Sequence, residues 1–65
     1  MQEFQKRVVE EKAELDSKMD RLTAFIDTPI FKSLPEEEQE RMVRQLHHMG
    51  QYTAVLGERI AAFAA

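Results

Sequence analysis

Cysteine and tryptophan are absent, and the 65 residues hold only two prolines, two glycines and a single tyrosine. Without cysteine no disulfide can staple the chain, and its two histidines have no thiolate partner for a structural zinc site. A chain this short buries too little apolar surface to be comfortably stable alone, so association is the staple left to it. No apolar run approaches the roughly 20 residues that cross a bilayer, and Met1-Gln2-Glu3-Phe4-Gln5-Lys6-Arg7 lacks the apolar core of a secretory signal. A cytoplasmic protein is expected. Twelve acidic residues against nine basic ones give a net charge of −3, which removes the attraction that nucleic-acid and anionic-membrane binders exploit. Neither nucleic acid nor membrane is an expected partner. A recognisable nucleophile is missing too, since Ser17 and Ser33 have no flanking glycines. The carboxylates fall at helix starts or in pairs such as Glu14–Lys18, Glu37–Arg41 and Glu40–Arg44, and read as solvated faces. No enzyme activity and no cofactor are implied.

What remains is helical. From Gln2 to Asp27 there is no proline or glycine, and Phe4, Val8, Leu15, Met19, Leu22, Phe25 and Ile26 recur at helical spacing. Lys12 falls inside that stripe, either as a polar residue that fixes register or with its stem along the seam and its ammonium in water. Thr28-Pro29 ends the helix, because proline lacks the donor and disfavours helical geometry in the residue before it. Thr28 can cap a short turn through Pro29, Ile30, Phe31 and Lys32. Ser33-Leu34-Pro35-Glu36 matches a capping box and predicts a second helix from Leu34 to Phe63, with Glu36, Glu37 and Glu38 where the helix dipole is positive. Ile30, Phe31 and Leu34 are apolar enough to plug the end of the bundle, and the last few residues, Ala61 to Ala65, are expected to fray. The predicted fold is all-α: one domain over residues 1–65, an antiparallel two-helix hairpin with a short helical turn over 28–33, assembling into a homo-oligomeric helical bundle.

The second helix carries two packing faces. Met42, Leu46, Met49, Thr53, Leu56, Ile60 and Phe63 alternate four and three residues apart as an apolar, coiled-coil-like seam. Gly50, Ala54, Gly57, Ala61 and Ala64 follow the same alternation, turned about 90° around the helix. A hairpin fills one such face by folding on itself, so the small-residue ridge is the expected oligomer interface, where missing side chains let helix axes approach closely. Glycine tolerated on an exposed face is the alternative. Leucine at both Gly50 and Gly57 should then give a smaller or unfolded particle. A twofold dimer forming a four-helix bundle is the economical assembly, and a larger one is compatible with the two faces.

On the flank opposite the ridge, Arg41, Gln45, His48, Tyr52 and Arg59 share a stripe. Guanidinium groups can hold phosphates in forked hydrogen bonds while a phenol ring stacks on a base. The plainer possibility is that Arg41 pairs with Glu37, Arg59 stays solvated and Tyr52 packs at the edge of the seam. Adjacent His47 and His48 point about 100° apart, so one helix cannot readily chelate a metal through both. They read as surface histidines, and no metal site is expected.

Phe4-Gln5-x-Arg7-Val8-x-Glu10-Glu11 with Leu15, Leu34-Pro35-Glu36-Glu37, and Gln45-x-x-x-Met49-x-x-Tyr52-x-x-x-Leu56-x-x-Arg59-Ile60 give the chain a family likeness. It resembles a group of small proteins of tailed phages and prophages, some of them related to a crAss-phage protein. The likeness spans nearly the whole length and lies in helix-surface and seam residues, with no catalytic signature among them. It implies a protein made in an infected bacterium's cytoplasm, where small oligomeric helical proteins commonly disarm host defences. Phage sponge proteins that sequester cyclic nucleotides or related immune signals are similar in size class and place ligand pockets between helical subunits. The resulting expectation is a non-enzymatic binding protein that takes a small phosphorylated, nucleotide-type immune signal at subunit interfaces. A protein–protein inhibitor of a host defence or regulatory protein, and a purely structural self-associating accessory protein, are the rival expectations.

Overall fold

A computed structural model describes residues 1–64. Three helices follow in order: α1, Glu3–Ile26; α2, Pro29–Lys32; and α3, Glu36–Phe63. The two long helices pack against each other, and α2 packs on α1 where the chain turns. Their register is antiparallel. Phe4 meets Phe63 edge-on at 6.0 Å, Lys12 lies against Gly57, Asp16 meets Thr53, and Met19 lies over Gly50, so partners on α3 fall in number as those on α1 rise. The result is a rod of 46 × 15 × 14 Å.

The hydrophobic seam is where the periodicity places it. Val8 and Leu15 of α1 and Leu56 of α3 are buried, with Met19, Met49, Ile60 and Phe63 packed around them. Leu56 is 0% exposed and forms the centre of this thin core. Met42, Leu46 and Thr53, also on the seam, are half-buried. Lys12 lies in the seam with its stem along it and its ammonium turned out to Asp16 at 2.8 Å, which is the snorkelling arrangement.

The turn follows from Thr28 and Pro29. Thr28 Oγ1 accepts from the Phe31 amide at 3.3 Å and donates to the Phe25 carbonyl at 2.6 Å, closing α1 and opening α2 with one side chain. Phe31 is buried and stacks edge-on against Phe25 at 6.2 Å. Ile30 does not share in the plug: it is 64% exposed, because successive positions of one helical turn cannot all face inward.

The start of α3 departs from the capping box. The helix begins at Glu36 with Pro35 as its N-cap, held at φ −54° and ψ 144°, outside helical geometry. Ser33 instead closes the preceding turn, donating from its hydroxyl to the Ile30 carbonyl at 2.6 Å. Gln39 takes over the tethering, its amide donating to the carbonyls of Leu34 at 2.9 Å and Lys32 at 3.2 Å. At the far end Ala64 is the C-cap, so the helix runs through Ala61 and Ala62; the expectation of fraying at Ala65 lies outside the described residues.

Candidate functional site

The chemistry-bearing residues of α3 lie on one exposed flank, held straight by a helix of 28 residues. Arg41, Gln45, His48, Tyr52 and Arg59 are all exposed there. At about 1.5 Å per residue, Gln45 to Tyr52 spans about 10 Å, whereas Arg41 and Arg59 stand about 27 Å apart. The middle three form one patch. The two arginines stand at separate ends of it.

Local partners decide what each group can offer. Arg41 donates from Nε to Glu38 at 2.8 Å, three residues back and not four, so the expected pair with Glu37 is not made. Nor, among the described residues, are the pairs Glu14–Lys18 and Glu40–Arg44 formed; the cations that pair are Lys12 and Arg41. Gln45 makes only a long contact of 3.9 Å to the Met49 sulfur, and His48 Nδ1 lies 3.4 Å from Gln51 Oε1. The Tyr52 hydroxyl donates to the Glu11 carboxylate of α1 while 45% of the residue stays exposed. That carboxylate places negative charge beside the phenol, which disfavours an anion at the hydroxyl. Arg59 has no carboxylate within ion-pairing distance among the described residues.

In the same interface, Asp16 accepts from Lys12 and from the Thr53 hydroxyl. Its carboxyl is held below the usual carboxylate range, first by the Lys12 hydrogen bond and then by Thr53. This cluster joins α1 to α3. The rings of His47 and His48 are 5.6 Å apart and inclined by 64°. Among the described residues no group of three His, Asp or Glu converges as metal ligands do.

The ridge divides into two. A Cβ at Gly50 would lie 3.6 Å from Met19 Cε, and one at Gly57 would lie 3.4 Å from Lys12 Cε, so both glycines border the seam and admit side chains of α1. Ala54, Ala61 and Ala64 are exposed. On the same side, toward the turn, lies an open concavity of about 700 Å³ walled by Phe31, Glu36, Glu40, Val43, Arg44 and His47. Sequence reasoning did not single it out. Its signal was there, because stepping back from Gly50 by the ridge's own alternation reaches His47, Val43, Glu40 and Glu36, whose bulk hid the continuity.

No helix among the described residues is long and apolar enough to cross a membrane. A sequence model of the family described as Sequestin matches residues 2–62, which takes in α1, α2 and all of α3 but its last residue. No curated protein matches the chain, and no solved structure does.

Proposed function

The chain belongs to the Sequestin family, and from that premise we propose that it is a non-enzymatic sequestering protein whose ligand is a small phosphorylated, nucleotide-type signal. The observation that carries the ligand class is the stripe of α3, where an exposed aromatic ring stands between guanidinium groups on a single flank. Tyr52 stacks on the base, and Gln45 and His48 supply hydrogen bonds to its edge. Arg59, with no acidic partner among the described residues, takes the phosphate. Arg41 stands too far along the helix to reach the same small ligand, so the phosphate falls to Arg59. Such a protein acts by stoichiometric capture. The family likeness to phage proteins makes a host immune signal the natural cargo and the bacterial cytoplasm the place of action.

Calorimetry against cyclic and linear nucleotides checks this. At least one should bind with micromolar affinity or better, and Arg59→Ala should weaken it about tenfold or more, as expected for loss of a charged hydrogen bond. Tyr52→Ala should weaken it by a similar factor while the helical signal is retained. No heat at high micromolar nucleotide, with the assembly intact, would remove the nucleotide class. A protein-directed inhibitor has its own support in Val55, which is 52% exposed on the outer face of α3. Capture of one host protein, lost in Val55→Asp and kept in Arg59→Ala, would favour it.

A further inference from the structure

The face of α3 that carries the ridge is bulky at one end and stripped at the other. Toward the turn it holds the concavity, with Val43 51% exposed at its wall and His47 beside it. Toward the C-terminus the same face is reduced to Ala54, Gly57 and Ala61. We propose that this face joins two copies of the chain, packed antiparallel along α3 about a twofold axis near Gly50 and Gln51. The stripped end of each copy sits in the concavity of the other.

Size and charge both select this arrangement. With the axis there, His47 falls across from the partner's exposed Ala54, and Val43 lies level with the gap between its exposed Ala54 and Ala61, so bulk on one helix packs over small side chains on the other. On the outer flank, Arg44 comes within about a turn of the partner's Glu58, and symmetry makes the pair twice. Gln51 meets the partner's Gln51 and Glu40 falls beside the partner's Ala62, so the residue level with the partner's Glu58 is Arg44 and not Glu40. A parallel pairing would instead set Val43 against Val43, Arg44 against Arg44 and Glu58 against Glu58. That leaves like charges opposed and a gap along the stripped half. The contact lies on the side of α3 away from Tyr52, so it leaves the stripe open and stands whether or not the ligand is a nucleotide.

Charge reversal tests the pairing. Wild-type chain should sediment at twice the chain mass. Arg44→Glu and Glu58→Arg should each weaken the dimer about tenfold, since two symmetry-related pairs are lost at once, and the combined variant should recover it. Circular dichroism confirms that helix is retained. A second measurement needs no charge change: the chain has no cysteine, so Gln51→Cys provides a unique thiol at the axis. A short bis-maleimide should link Gln51→Cys into covalent dimers and leave Ser17→Cys, on exposed α1, as single chains. A folded monomer at all concentrations would overturn the proposal. So would single reversals without effect, a combined variant that does not recover, or linkage at Ser17→Cys in preference to Gln51→Cys.

Discussion

At position 57 the missing side chain leaves room for the stem of Lys12, which passes over the glycine on its way to Asp16. The polar interruption in one helix and the gap in the other are a matched pair, and neither alone predicts the match. Gly50 is less crowded, since an added Cβ makes ordinary contact with the mobile end of Met19. Gly50→Ala should therefore keep the fold and raise the melting temperature at low concentration, with a helix-propensity gain of about 1 kcal/mol; thermal melts by circular dichroism check it. Leucine at both glycines would press on Met19 and Lys12, so alanine is the cleaner probe of what a second chain tolerates. Asp16 gives a pH prediction. Its folded carboxyl titrates below the ordinary value of 3.8, so the stability it lends is complete above that value and is lost as pH falls from there through the folded value. Asp16→Asn should flatten the acid limb of the melting profile. Sequence could not have located this group, because Thr53 reads as a seam residue until α1 supplies the acid opposite it.

At the scale of the helices, the seam was legible because a period near 3.6 leaves few choices of inward face, and Leu56 sits at its centre. Leu56→Ala should cost about 2–5 kcal/mol and, in so thin a core, abolish the cooperative melt. The turn was legible through Thr28, whose removal in Thr28→Ala should cost about 1 kcal/mol and lower the melting temperature by about 4–8 °C. The start of α3 was not legible. Ser33 and Glu36 have the spacing of a capping box, but Pro35 between them holds an extended ψ, and the box cannot close across it. Ion pairs escaped for a related reason: three-residue and four-residue spacings are both within reach on a helix, and rotamers choose between them. The stripe and the ridge were visible as patterns, whereas the bond from Tyr52 to Glu11 and the concavity required knowing which side of α3 is covered by α1.

For the molecule as a whole, four buried apolar side chains among the described residues are a small core for a helical rod of this length. Ile30, Val43 and Val55 remain more than half exposed, and Phe4 is 54% exposed despite its contact with Phe63. Stability should therefore depend on concentration: melting temperature should climb with protein concentration, by mass action on association, and differential scanning calorimetry across a hundredfold range would show it. A melting point independent of concentration would mean that the hairpin stands alone.

The rod is also fastened unequally along its length. One extremity is closed by the chain itself, with Thr28 and Gln39 bonded across the bend, while the other is clasped chiefly by the Phe4 and Phe63 rings. Opening should start at the clasped tips and run toward the bend, so amide protons near Ile60 should exchange well before those near Leu46. Arg59 belongs to the loosely fastened end and Arg41 to the tethered one. A cargo gripped by Arg59 would draw the free tips together, and slowed exchange there would register its capture even where nothing else in the rod moves.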